Sequence, residues 1–273
     1  MGRPILVCAF TGWNDGGEAA STAATYLRDR WGARRIARLD PEEFFDFQVS
    51  RPTVKLVDGV TRRIEWPAND FFHAALPNRD VVVFLGIEPN VRWRTFTETI
   101  IGAAEHLGVE SVVLLGAFLA DVPHTLPAPV TGSAPDRKQA EELGLSGSRY
   151  EGPSGIVGVL HDAAGRAGLP TVSLWAAVPH YLPSGPNPKA ALALVEKLSA
   201  YLGVPVATDT LERAAKKWQD QVSEMIDENE DLSSYVHRLE ESAAESQDLG
   251  EVPSGEALAA ELERFLRDQR GDA

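Results

Sequence analysis

The chain has one cysteine and two methionines among its 273 residues, and no long apolar run. A lone cysteine, Cys8, cannot build a disulfide framework or a thiolate metal site, so a reducing cytoplasm is the compartment implied. No window approaches the roughly 18 consecutive apolar residues that a membrane span requires. The chain enters its first strand almost at once, with no charged leader and no cleavage pattern, so no targeting segment is expected. None of the six histidines falls into an HxH, HxxxH or HExxH pattern, which leaves a metal site, or any metal cofactor, without support. Basic charge is also scarce. Formal net charge is −14, and residues 207–273 hold 18 acidic against 7 basic side chains, whereas residues 1–206 hold 22 against 19. An acidic C-terminal quarter repels nucleic acid phosphates and anionic lipid heads, so neither partner is expected.

What is present is an alternation of apolar strands and amphipathic helices. Ile5 to Phe10, Asp80 to Ile87, Ser111 to Leu119 and Thr171 to Val178 are near-continuous apolar runs, as buried parallel strands require. Arg34 to Leu39 and Phe44 to Gln48 are shorter strand candidates. Thr53 to Val57 and Val60 to Trp66 flank Asp58-Gly59, a hairpin signal expected to add an antiparallel element at one sheet edge. Helices are expected from Glu18 to Arg30, Arg92 to Leu107, Ser154 to about Ala167 and Pro188 to Leu202, the second and fourth ending at glycine. The pattern predicts an α/β fold of three layers, α/β/α, with a mostly parallel sheet over residues 1–206.

Residues 207–273 read as an acidic helical extension. Leu211, Ala215, Trp218, Val222, Met225, Leu232, Val236 and Leu239 form a heptad seam, and Asp209 with Glu212 has capping-box spacing at its start. The segment is one long helix or a helical hairpin bending near Asp227–Asp231. A polar linker from Glu240 to Glu251 and a last helix from about Pro253 to Arg267 complete it.

In open α/β sheets ligands gather at the carboxyl ends of the strands. Those ends are Thr11–Gly17, Ile87–Asn90, Leu119–Pro123 and Val178–Ser184, and they are expected to converge. The first contains Trp13, Asn14, Asp15, Gly16 and Gly17. A glycine turn opening a helix often binds anions, yet this one carries Asp15 and no Lys or Arg, and it fits neither the dinucleotide nor the phosphate-loop pattern. Trp13 is expected to be exposed as an anchor. His124 and His180 are the histidines placed for general-base work, and Glu88 and Glu151 the carboxylates. Gly152-Pro153-Ser154-Gly155 fails as a nucleophile elbow because Ile156 stands where glycine is needed; Ser154 reads as a helix N-cap. No catalytic set is complete. The candidate ligand-binding residues are therefore Trp13, Asn14, Asp15, Gly16, Gly17, Glu88, His124, Glu151, Gly152, Ser154, His180 and Tyr181.

Taken in order, Phe10-Thr11-Gly12-Trp13-Asn14-Asp15-Gly16-Gly17, Leu115-Gly116-Ala117 to Pro123-His124-Thr125, Tyr150-Glu151-Gly152-Pro153-Ser154-Gly155 and Pro179-His180-Tyr181 resemble the proteasome assembly chaperone 2 family. The resemblance is to its actinobacterial branch, with a helical C-terminal extension. Leu126 stands where Arg often follows Pro-His-Thr. The resemblance implies a phosphorylase/hydrolase-like α/β/α fold, no agreed catalytic residues and a homo-oligomer, a trimer before a dimer. It implies a non-enzymatic, cytoplasmic protein-binding or assembly-chaperone-like protein. The alternative is a hydrolase, a phosphorylase-like enzyme or a small-molecule sensor using the strand-end crevice.

Overall fold

The structure is a computed structural model and describes residues 3–145, 151–182 and 185–248. Nine strands are present among the described residues: β1 (Ile5–Thr11), β2 (Arg34–Leu39), β3 (Thr53–Val57), β4 (Thr61–Glu65), β5 (Asn69–Ala75), β6 (Asp80–Ile87), β7 (Ser111–Ala120), β8 (Val130–Ser133) and β9 (Thr171–Pro179). The helices are α1 (Ala19–Arg30), α2 (Trp93–His106), α3 (Arg137–Glu142), α4 (Ile156–Arg166), α5 (Pro188–Leu202), α6 (Asp209–Asp227) and α7 (Glu230–Asp248).

Seven strands form one sheet in the order β2-β5-β6-β1-β7-β9-β8. The central four, β6, β1, β7 and β9, run parallel. Antiparallel strands flank them on both sides. Alternation along β1 divides the core: Ile5, Val7 and Ala9 pack on one face with α1 and α5, and Leu6, Cys8 and Phe10 on the other with α2 and α4. Successive strand side chains point to opposite faces, so six consecutive apolar residues serve two helical layers. Cys8 is fully buried and its thiol is pushed far up by desolvation, which makes it a core residue rather than a nucleophile.

Several expectations are corrected. Phe44 to Gln48 is not a strand. A short 3-10 turn, Pro41–Glu43, precedes it, with Asp40 accepting from the Glu42 amide at 3.0 Å. Phe44 and Phe45 are buried as plugs, Phe44 edge-on to Phe96 with ring centroids 5.1 Å apart. The Asp58-Gly59 hairpin forms, both residues having positive φ, but β3 and β4 make a separate two-stranded sheet. The antiparallel pairings of the main sheet are instead β2–β5, β5–β6 and β8–β9.

The C-terminal helices break at Glu228-Asn229. Ser223 of α6 and Glu240 of α7 bond to the adjacent residues His124 and Thr125. An unbroken helix would hold those two side chains about 25 Å apart, so the chain turns back on itself, as the hairpin alternative requires. The Asp209/Glu212 capping box does not form; Thr208 stands in the cap position and its hydroxyl meets Glu212 at 2.5 Å. The buried residues are Leu211, Ala215 and Ile226 in α6 and Val236 in α7, so the expected seam is buried at Leu211, Ala215 and Val236, whereas its Met225 is 40% exposed and Ile226 is buried instead. α7 continues to Asp248, so most of the expected linker is helix. The last predicted helix, Pro253 to Arg267, lies outside the described residues, as do Tyr150 and Ser184.

Candidate functional site

The carboxyl ends of β6, β1, β7 and β9 line one edge of the sheet, because the four strands are parallel neighbours. The candidate residues divide there into two groups.

The first surrounds Glu88. Its Oε1 accepts from the Asn14 side-chain amide at 2.9 Å and from the Ile156 backbone N–H at 2.8 Å. Its Oε2 accepts from the Trp13 N–H at 3.3 Å. Glu88 thus caps α4 from a distant strand end. Ser154 is not the cap: Gly155 occupies that position without a side-chain bond, and the Ser154 hydroxyl lies 3.4 Å from the Gly155 carbonyl. A carboxylate at the first N–H of a helix also meets the positive end of its dipole. Asn14 is 3% exposed, and its carbonyl accepts from the Ala117 N–H at 2.8 Å, joining the turn to β7.

Asp15 acts in the same way on α1. Its Oδ1 accepts from the backbone N–H of Ala20 and Ser21 at 2.8 and 3.2 Å, while Oδ2 is buried without a partner. Burial raises its pKa, against those hydrogen bonds. Between Asp15 and α1, Gly17 (φ 58°) and Glu18 (φ 49°) are both left-handed. A Cβ on Gly17 would lie 2.9 Å from that of Asn187, and one on Gly12 (φ 132°) the same distance from that of Glu88. The glycines therefore permit close approach of neighbouring segments, not of a phosphate. Trp13 is 64% exposed, as expected. Glu151 and Gly152 are exposed, and Glu151 is bonded to none of the described residues.

The second group lies beyond β7 and β9, under the C-terminal helices. His124 is 2% exposed. The Tyr181 hydroxyl accepts from the His124 backbone N–H at 2.8 Å and stands 2.8 Å from the ring Nδ1. The other ring nitrogen, Nε2, lies 3.0 Å from the Ser223 hydroxyl. Desolvation first, then the Lys189 charge, lowers the His124 pKa.

Lys189 donates to the His124 carbonyl and to Gln219 of α6, both at 2.6 Å, and burial brings its pKa down to about 8. Thr125 donates to Glu240 at 2.5 Å, and Tyr235 donates to Asp121 at 3.1 Å. His180 Nδ1 is also 3.1 Å from Asp121, and its ring meets Tyr181 and Tyr235 edge-on. Sequence reading missed Asp121, Thr125, Lys189, Gln219, Ser223, Tyr235 and Glu240. The one available signal was Lys189, a lone cation beside a proline-rich loop.

Two grooves of about 470 and 420 Å³ run along α5, and none of the candidate residues lines either. Among the described residues no His, Cys, Asp and Glu side chains are grouped to hold a metal, and no helix is long and apolar enough to cross a membrane.

A three-layer α/β/α protein whose strand-end loops are bound to a C-terminal helical pair defines the class. The chain belongs to the PAC2 family, whose model matches residues 9–226. It is similar to the crystal structure of a PAC2 family protein from Streptomyces avermitilis: 46% identity, 85% of this chain and 99% of that one covered, TM-score 0.79. A proteasome-assembly chaperone homologue from Mycobacterium tuberculosis is likewise 46% identical over 85% of this chain and 99% of that one, TM-score 0.78. An archaeal proteasome activator from Pyrococcus furiosus shares the fold at 16% identity, covering 82% and 93%, TM-score 0.67. No curated protein matches the chain.

Proposed function

We propose that this chain is a non-enzymatic, cytoplasmic protein-binding protein that assists proteasome assembly by holding proteasome subunits. The observation that carries the reading is the fate of the two side chains best placed for chemistry. Glu88 is taken up by three donors from two separate segments, and His124 is committed to Tyr181 and Ser223. Both hold the fold together at the edge where an enzyme of this architecture would place reacting groups. The 46% identical mycobacterial homologue supports the choice of partner. On this reading residues 1–206 are the α/β/α unit, residues 207–273 are an acidic helical extension, and the protein works as a homo-oligomer, a trimer before a dimer. Biolayer interferometry of the full chain against α- and β-subunits of its own host's proteasome tests it. Saturable binding at micromolar concentration or below is expected; no binding to either subunit overturns the reading.

A second reading, a small-molecule site at the glycine turn, draws on the buried, unpartnered Oδ2 of Asp15. A specific metabolite would raise the melting temperature by mass action, and less so in Asp15→Asn; no rise across a metabolite screen removes it.

A further inference from the structure

The β3–β4 hairpin is an arm that meets the body at its base, where Trp66, just past β4, packs edge-on to Phe47 with ring centroids 4.8 Å apart. All ten strand residues are exposed, and the strands pair only with each other. Residues opposite one another share a face, so the register Val54↔Ile64 and Leu56↔Arg62 puts Arg62 on one side together with the apolar Val54, Leu56, Ile64 and, by alternation, Trp66. These four apolar residues are 57%, 62%, 48% and 49% exposed. A two-stranded hairpin needs packing against something to be stable in water, and contiguous apolar surface of this kind marks an interaction site.

Charge identifies the occupant. The arm carries Arg51, Lys55, Arg62 and Arg63 against Asp58 and Glu65; among the described residues only Lys55 of these cations has a carboxylate partner, Glu65 at 2.7 Å. Packing two arms face to face would bring like charge together. The complementary surface is on the same chain's other end: residues 209–248 hold twelve acidic and four basic side chains. There the half-buried Trp218 and the exposed Met225 share one side of α6, seven residues apart, with Glu228 one turn further on.

We propose that the β3–β4 arm of one copy docks on the α6–α7 pair of a second copy. The apolar arm face covers Trp218 and Met225, and Arg62, on that same face, meets the carboxylate of Glu228. The contact is head-to-tail, so repetition closes a ring or an arm-exchanged dimer. The inference rests on the self-associating part of the reading above and gives it a surface.

Complementation between two variants of the full chain tests it. The arm variant is Leu56→Asp/Ile64→Asp; the acceptor variant is Met225→Arg/Glu228→Arg. All four positions lie outside the buried core, and circular dichroism checks each fold. Sedimentation velocity should show wild type as an oligomer, each variant alone as a monomer, and the equimolar mixture as a dimer of one of each, at least tenfold tighter than either variant's self-association. Such a mixed dimer is expected because an intact arm then meets an intact acceptor. A mixture that stays monomeric overturns head-to-tail docking. Variants that remain oligomeric place the interface elsewhere, which overturns this inference and leaves self-association standing. A wild type that is monomeric at every concentration overturns both, while subunit binding is still judged by its own assay. As a second pair, Arg62→Glu should weaken the oligomer at least tenfold, and adding Glu228→Arg in the same chain should restore it; weakening without restoration also overturns the docking.

Discussion

Replacing Glu88 measures how far the strand-end edge depends on one carboxylate. In Glu88→Ala the Ile156 N–H and the Asn14 amide lose their acceptor where both residues are buried. A hydrogen bond to a charged group contributes about 1.5–3 kcal/mol, and a stranded buried donor costs about 1–3 kcal/mol. The Trp13 bond is longer and on an exposed residue, so it contributes least. The two buried bonds together give about 3–6 kcal/mol for Glu88→Ala. Glu88→Gln keeps an acceptor for both donors and loses the charge near the start of α4; its cost is about 1–2 kcal/mol. Urea unfolding followed by circular dichroism, compared at a common m-value, reads both. Amide exchange at Ile156 is the local readout: a loss of about 3 kcal/mol in the equilibrium between closed and open forms speeds it by on the order of a hundredfold. An Ala variant within about 1 kcal/mol of wild type, or a Gln variant as damaged as the Ala variant, would refute the account of Glu88 as a structural hub.

Two further outcomes follow from the same geometry. Gly155→Ala would drive a Cβ into the Asn14 side chain, displacing it from Glu88; a loss of about 1–3 kcal/mol is expected, and a double-mutant cycle with Asn14→Ala should show strong coupling, independence counting against the contact. The lowered pKa of His124 makes its neutral form the native one. Its contribution to stability is therefore complete above the ordinary value of 6.5 and is lost as pH falls through the lower folded-state value. Melting temperature should fall below pH 6.5 more steeply in wild type than in His124→Gln, and identical acid limbs would remove His124 as the cause.

The central strands were legible because each is a continuous apolar run that needs no partner to be recognised. β5 was not, since Asn69, Asp70 and His73 interrupt its apolar residues. Their partners lie elsewhere: Asn69 accepts from the Ile87 N–H at 2.8 Å, and Asp70 holds Arg38 of the edge strand through two bonds of 2.6 Å. Polar residues in a strand look like breakers until the groups that satisfy them are known. β8 was hidden among prolines for a similar reason. The candidate site shows the same limit. Sequence placed Trp13, Asn14, Asp15, Glu88, His124 and Tyr181 at one sheet edge, because topology follows from alternation. It gave no sign that Glu88 caps a helix 68 residues away, or that His124 faces Ser223 across 99 residues. Capping by a remote carboxylate leaves no local pattern, whereas Ser154 beside its helix mimicked one.

Native mass spectrometry of the full chain mixed with separately purified α- and β-subunits of its host's proteasome decides whether the chain assists proteasome assembly. Complexes containing this chain together with partly assembled rings are expected, disappearing as complete proteasomes form, with faster ring completion than without it. Rings that assemble at the same rate, with no mass attributable to a mixed complex, would contradict it.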